Sequence, residues 1–258
     1  MRLIECLHTQ SSCYMDNEPA KQYGIVVHST GANNPGLKRY VQPSSDNPKR
    51  EELFNLIGEN KNGNHWNRNI EKAVHYMIGE LADGSVATVQ TLPEDICCWG
   101  CGKGKNGSFN YNPTAHIQFE ILEDDLKDKT YFEKVYKEAT ELCADICKRH
   151  GWDSSVIVSH KEAHKKKYAS NHADIDHWLK EHKLTMNDFR ASVQKILEKE
   201  NEEHLPEFEP YKIVMGENPF TIYNDSNEKI GTMNERANIT VIAENNEKLK
   251  IEAWIKKN

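Results

Sequence analysis

The sequence lacks a long apolar run. No stretch of the 258 residues approaches the roughly 20 consecutive apolar residues that span a bilayer, so membrane insertion is not expected. A secretion signal is also missing, because the apolar run in residues 1–8 is short and Glu5 interrupts it. The sequence therefore predicts a chain that is made in the cytoplasm.

An excess of positive charge is absent as well. The chain has 33 Lys and Arg against 40 Asp and Glu, for a formal net charge of -7. It has no basic stripe with interleaved aromatic residues, so nucleic acid is not an expected partner. Hydrophobic residues make up 37% and charged residues 28%, a balance typical of a soluble protein with a real core. The sequence does not indicate an oligomeric state.

The seven cysteines lack a pattern that would pair them. Their number is odd, and without a secretion signal we expect reduced thiols. Cys98-Trp-Gly-Cys101 has the spacing of half a zinc knuckle, but no second C-x-x-C accompanies it, which leaves a structural zinc protein as a distant alternative. Cys143 and Cys147 lie one helical turn apart on an apolar face, which favours packing in a core.

Two short patterns of a buried strand, each leading to a histidine, are the most informative features present. The β-branched runs at 24–27 and 156–159 precede His28 and His160. Sites in open α/β sheets gather at the carboxyl ends of strands, and zinc accepts imidazole nitrogen and carboxylate oxygen. We therefore expect a metal site that takes a further ligand from His172, Asp174, Asp176 or His177. Two core histidines are the alternative.

Three separated motifs resemble one known family. Residues 27–35, 116–121 and 160–178, in this order, are similar to the type-2 N-acetylmuramoyl-L-alanine amidases, the zinc amidases of the peptidoglycan-recognition and phage-lysozyme superfamily. The closest likeness is to the clostridial and phage wall-lytic branch, and it covers roughly residues 1–180. The resemblance implies a hydrolase of bacterial peptidoglycan that acts on its glycan and stem peptide. A phage or prophage endolysin would reach the wall after holin-type release or lysis, and a bacterial autolysin with another route out of the cell is the alternative.

The resemblance also implies the cofactor and the reaction. Zn2+ would be bound by His28, His160 and Asp174, and an open zinc position lowers the pKa of bound water and polarises a carbonyl. The bond cleaved would join N-acetylmuramic acid to L-alanine. A non-catalytic peptidoglycan-binding protein on the same fold is the alternative, and the ability of Asp174 to hold a metal argues against it.

The remaining site predictions concern acid–base chemistry and substrate contacts. In the strand pattern at 116–122, Glu120 shares a face with His116 and Gln118, and by resemblance it is the general acid/base. An exposed face of an antiparallel sheet is the alternative for Glu120. His172 takes the place of the family's catalytic lysine, with residues 165–167 as competing candidates. Loop residues expected at the substrate are Asn33, Asn34, Trp99 and Asn112.

The fold class expected is α/β, a mixed central sheet flanked by helices, followed by a small all-β SH3-like barrel. We predict a zinc amidase domain at 1–183, a helix and linker at 184–204, and an SH3-like cell-wall-binding domain at 205–258. The asparagine–arginine motif usual in the early strand of such domains is absent, so a stabilising appendage is the alternative for the last domain. The helical pattern at 130–150 predicts a helix capped by Thr130 and ended by Gly151. Asp83-Gly84 indicates a hairpin, and the lysine-rich residues 161–167 indicate a loop.

Overall fold

The computed structural model describes residues 1–203, with side chains through 199, and the backbone of five strands between 211 and 252. By its internal contacts the chain divides into two units, Met1–Lys199 and Glu200–Asn258. No helix in the described part of the chain has the length and apolar character needed to cross a membrane.

The first unit is built on a six-stranded mixed sheet. Its strands are β1 (Leu3–Glu5), β2 (Ile25–Ser29), β3 (Tyr76–Glu80), β4 (Val86–Gln90), β5 (Ile117–Ile121) and β6 (Ile157–Ser159), in the order β1-β4-β3-β5-β2-β6. The pair β3–β4 is antiparallel, and its turn holds Gly84 at φ 79°, as the hairpin signal predicts. The other pairings are parallel. The mixed α/β sheet expected from the sequence is therefore confirmed.

The last three strands of the sheet order, β5, β2 and β6, bring three carboxyl strand ends together. All five residues of β2 are buried, and β5 and β6 pair with its two edges. The parallel register aligns His28 with Glu120 on β5, and Val27 with Ser159 on β6. Since Ser159 precedes His160, this register places both predicted histidines at the same edge of the sheet.

Six α-helices and two short 3-10 helices, Leu37–Arg39 and Ser154–Val156, accompany the sheet in residues 1–203. The α-helices are α1 (Ser12–Asp16), α2 (Arg50–Ile57), α3 (Lys129–His150), α4 (His160–Lys165), α5 (Asp176–Glu181) and α6 (Met186–Glu203). The prediction that Thr130 caps α3 was wrong: the cap is Asp128, whose extended backbone lets its carboxylate accept from the Thr130 and Tyr131 amides. Gly151 ends α3 in a left-handed conformation at φ 68°, as predicted.

The prediction of a loop over residues 161–167 was wrong for most of that stretch, which forms α4. Ser159 accepts from the Glu162 amide while the Glu162 carboxylate accepts from the Ser159 amide, so the two residues form a capping box. These bonds satisfy amides that the first turn leaves free, and they start the helix at His160 despite its lysines.

One large core joins the sheet to α3, α5 and α6. The 22-residue α3 buries its apolar face, including Cys143 and Cys147, against Ile25, Phe119 and other sheet residues. Phe189 and Val193 of α6 pack into the same core. The helix expected from the pattern at 184–199 is thus part of the first unit's core, which agrees with a unit that runs to Lys199.

The second unit contains five described strands, close to the five strand patterns in the sequence. They are β7 (Tyr211–Val214), β8 (Phe220–Tyr223), β9 (Lys229–Met233), β10 (Asn238–Glu244) and β11 (Leu249–Glu252). The strands β11-β10-β7 form one antiparallel sheet and β8–β9 a second. Closure into an SH3-like barrel depends on residues outside the described ones, so it stays a prediction.

Candidate metal centre

Two adjacent strands deliver the two predicted histidines to one point. His28 is the fourth residue of β2, and His160 follows β6 as the first residue of α4. Both are buried, and their rings meet edge to face with centroids 4.8 Å apart. The two Nδ1 atoms are 3.0 Å apart. The site therefore has two imidazole nitrogens aimed at a common point.

Asp174 completes the group from the loop before α5. Its Oδ2 lies 3.2 Å from Nδ1 of His28 and 3.4 Å from Nδ1 of His160. One ligand atom from each of the three residues lies within 4.8 Å of the other two. This is the set of three residues expected from the sequence, and two nitrogens with one oxygen are a donor set that zinc accepts.

The hydrogen bonds behind the rings show that both Nδ1 atoms present lone pairs. Nε2 of His28 is 2.9 Å from Oε1 of Gln118, and Nε2 of His160 is 3.3 Å from Oγ of Ser170. If each Nε2 carries the proton, both Nδ1 atoms are acceptors that point at an acceptor carboxylate. Such a convergence is repulsive without a cation, so the residues present fit a divalent metal ion.

Asp174 supplies the negative charge that such an ion needs. Its carboxylate oxygen faces both rings, and carboxylate oxygen is an accepted ligand of zinc. Of the competing candidates, Asp176 lies 4.0 Å from Nζ of Lys161. Nε2 of His177 lies 2.9 Å from Oε1 of Glu123.

His172 lies at the solvent side of the group. Its ring stacks on that of His160 with centroids 4.7 Å apart, and its Nδ1 is 3.7 Å from Oδ1 of Asp174. The side chain is 61% exposed. His172 is therefore open to water while it lies beside the proposed ligands.

Glu120 faces the same space from β5. Its Oε2 is buried and has no hydrogen-bond partner within residues 1–199. Burial raises the pKa of Glu120 well above its usual range, and the nearby carboxylates of Asp174 and Glu123 raise it further. An exposed face of an antiparallel sheet is ruled out for this residue, because β5 pairs in parallel with both β2 and β3.

A cavity of about 650 Å³ opens above these residues. Trp99, His172 and Glu120 are among its lining residues. The sequence did not point to other lining side chains, which loops distant along the chain bring in: Arg39, Tyr40, Trp66, Lys72, Asn110 and Tyr111. Asn110 and Tyr111 lie in a long glycine- and asparagine-rich loop, and the length of this loop was the sequence feature that could have indicated a functional role. The other four residues have no such feature in the sequence.

The three asparagines predicted to touch substrate lie apart from this lining. Asn33 and Asn34 belong to the loop that follows β2, where the Asn34 amide donates to the Glu123 carbonyl. Asn112 donates to the Pro19 carbonyl and accepts from the Lys21 amide. It lines a neighbouring cavity of about 550 Å³. Contact between these residues and substrate therefore stays a prediction.

The mixed α/β sheet thus carries, in one cleft, a His-His-Asp group that could hold a metal ion and the carboxyl of Glu120. The chain matches the model of the N-acetylmuramoyl-L-alanine amidase family over residues 18–176, more than half of its length, and it belongs to that family. It is accordingly an amidase.

Several solved structures are similar to this chain, and the one with a TM-score above 0.5 shows the same fold. The Staphylococcus aureus hydrolase AmiA in complex with its ligand has a TM-score of 0.52 and 15% identity, over 79% of this chain and 86% of that chain. The PlyG catalytic domain has a TM-score of 0.49 and 16% identity, over 76% and 96%. PlyL has a TM-score of 0.48 and 17% identity, over 75% and 96%. No curated protein was found to match the sequence.

Proposed function

We propose that the chain is a zinc-dependent peptidoglycan hydrolase that cleaves the amide bond between N-acetylmuramic acid and L-alanine of the stem peptide. The observation that carries the proposal is the convergence of His28, His160 and Asp174 beside Glu120 in one cavity. Membership of the amidase family supports it. The AmiA structure, described as a complex with its ligand, supports a cleft that binds substrate.

Zinc would be held by Nδ1 of His28, Nδ1 of His160 and a carboxylate oxygen of Asp174. Three protein ligands with one position left open is the arrangement of catalytic zinc, which supplies Lewis-acid polarisation and an acidified water.

Glu120 moves the proton in this proposal. Burial raises its pKa well above that of an ordinary carboxyl, so it holds a proton more readily, which suits a general acid/base. It accepts a proton from the attacking water and returns one to the departing amine of L-alanine. Its unpartnered, buried Oε2 is free for these transfers. His172 donates a hydrogen bond to the oxygen that gains charge in the transition state.

The remaining lining residues provide contacts that fit a sugar–peptide junction. Tyr40, Trp66 and Trp99 offer aromatic faces of the kind that pack on sugar rings, and Arg39 and Lys72 offer positive charge for stem-peptide carboxylates. The cavity therefore combines apolar faces with a few charged groups, as small-molecule sites do.

Mass spectrometry of the products from a defined soluble muropeptide tests the reaction. Cleavage should release an intact muramic acid saccharide and a peptide that begins with L-alanine. Products cut within the glycan or between amino acids would contradict the proposal. Binding of the muropeptide without any cleavage by the zinc-loaded protein would favour the non-catalytic alternative.

A further inference from the structure

The Cys98–Gly102 segment lies directly behind the proposed metal centre, although no cysteine belongs to the His-His-Asp group. We propose that this segment positions both histidine ligands, through Gln118 for His28 and Ser170 for His160, and so fixes both rings with the proton on Nε2. The inference rests on the proposed binding of zinc. The proposal gives the Cys98-Trp-Gly-Cys-Gly102 sequence a supporting role in place of the zinc knuckle that its cysteine spacing resembles.

The link to His28 runs through a fully buried side chain. Gln118 is 0% exposed, and its amide nitrogen donates to the Phe109 carbonyl at 3.2 Å and to Oδ1 of Asn110 at 3.0 Å. A backbone carbonyl can only accept, so the Gln118 nitrogen faces Phe109 and its Oε1 faces His28. Oε1 can only accept, and the 2.9 Å contact therefore places the proton on Nε2 of His28.

The link to His160 follows the same logic. Oγ of Ser170 is 3.2 Å from the Cys101 carbonyl, to which it donates its single proton. The hydroxyl then receives Nε2–H of His160 at 3.3 Å as an acceptor. The Cys101 carbonyl thus makes the Ser170 hydroxyl a donor to Cys101 and an acceptor towards His160. This arrangement requires the proton of His160 to be on Nε2.

Both links end on Cys101. Its amide nitrogen donates to Oδ1 of Asn110 at 3.1 Å, and this same oxygen receives the Gln118 amide. Its carbonyl also accepts from the Ser170 amide at 2.9 Å. Cys101 is 0% exposed, so water does not compete for these bonds. One buried residue therefore supports the groups behind both histidines.

The two glycines of the segment make room for the two supporting side chains. A Cβ on Gly100 would lie 2.5 Å from Oε1 of Gln118, and a Cβ on Gly102 would lie 2.8 Å from Oγ of Ser170. Gly102 also has φ +64°, whereas no positive φ is found at Gly100. Position 100 therefore requires glycine because of the space and not because of the backbone conformation. An added methyl group there would displace the Gln118 oxygen that accepts the hydrogen bond from His28.

This arrangement matters because the metal needs the Nδ1 lone pairs. Without an acceptor at Nε2, the proton of a neutral imidazole can occupy either nitrogen, and a proton on Nδ1 blocks binding. Loss of groups that orient metal-ligating histidines typically weakens metal affinity by 10–100-fold, roughly. Gln118 and Ser170 are thus positioning residues, since they act on the ligands and not on substrate.

The test compares Gly100→Ala, Gln118→Leu and Ser170→Ala with the unaltered chain and with Gly36→Ala. Gly36 is a matched control, because an added Cβ there meets nothing nearer than 3.9 Å. Zn2+ affinity is measured by competition with a chromophoric chelator. Imidazole 15N chemical shifts of the metal-free proteins report which ring nitrogen carries the proton. Thermal unfolding confirms that each variant is folded.

We expect Gly100→Ala and Gln118→Leu to weaken zinc binding by about 10–100-fold and to shift His28 towards the form protonated on Nδ1. Ser170→Ala should do the same for His160, whereas Gly36→Ala should change neither readout. Folded variants with unchanged affinity and unchanged ring protonation would overturn the inference. An unaltered chain that takes up no zinc would instead overturn the proposed function.

Discussion

The ion pair between His177 and Glu123 makes stability depend on pH at a point next to the proposed metal centre. His177 stands in the first turn of α5, three residues after Asp174, and Glu123 follows the end of β5, which carries Glu120. Nε2 of His177 is 2.9 Å from Oε1 of Glu123. The pair therefore ties the loop that holds one proposed ligand to the strand that holds the proposed acid/base.

The sign of the pH dependence follows from the shifted pKa. Hydrogen bonding to Glu123 raises the pKa of His177 above its usual value, against an opposing effect of burial. The stabilisation is fully present below the unfolded-state pKa of about 6.5 and is lost as pH rises through the higher folded-state pKa. At alkaline pH His177 is neutral in both states and the charge contributes nothing.

The size of the effect follows from exposure. Exposed ion pairs contribute about 0.2–1 kcal/mol, and shielding from water strengthens the attraction. The Glu123 side chain is 3% exposed but that of His177 is 32% exposed, so solvent screening reduces the contribution. We expect about 1 kcal/mol.

Urea unfolding of the metal-free chain and of His177→Gln measures this quantity. Glutamine retains a hydrogen-bond donor but carries no charge, and the two proteins share every other titrating group. The difference in free energy of unfolding should be about 1 kcal/mol larger at about pH 5.5 than at about pH 9. A difference that stays constant over this range would refute the reasoning.

Three further predictions concern catalysis and the two units. Glu120→Gln should retain zinc and lose activity on muropeptides by about a hundredfold or more, because the amide cannot take the proton; equal rates would exclude the role. Phe189→Ala should lower the free energy of unfolding of the first unit by about 3–5 kcal/mol in urea, because it leaves a cavity where α6 packs into the core. A loss below about 1 kcal/mol would show that α6 is peripheral to the core. A chain ending at Glu203 should cleave soluble muropeptides at the normal rate but lyse intact walls more slowly, because it lacks residues 205–258, which would concentrate the full chain at the wall. Unchanged wall lysis would show that those residues have no binding role.

The proposed ligands could be predicted because their signals are local. β-branched runs that end in histidine mark buried strands, and parallel strands bring such ends together. The crowding of His and Asp at 172–177 supplied a third ligand without a tertiary argument. The choice of Asp174 over Asp176 and His177 came from resemblance, and the contacts of these two with Lys161 and Glu123 follow from packing of α5.

The supporting residues could not be predicted in the same way. Gln118 was placed on the face of β5 that also carries Glu120, but its side-chain hydrogen-bond partner, His28, is 90 residues away. Tyr40 and Trp66 reach the cavity on loops whose course depends on packing against distant elements. The start of α4 did carry a local signal, the Ser159-x-x-Glu162 capping box, but the lysine-rich composition concealed it.

Zinc content per chain tests the central claim most directly. After equilibrium dialysis against Zn2+ and removal of loosely bound metal, elemental analysis should find one zinc in the unaltered chain and little or none in His28→Ala or Asp174→Ala. Both variants should remain folded by circular dichroism, because a catalytic site with an open position adds less to folding than a closed structural one. Stoichiometric zinc in the folded His28→Ala protein would contradict the account.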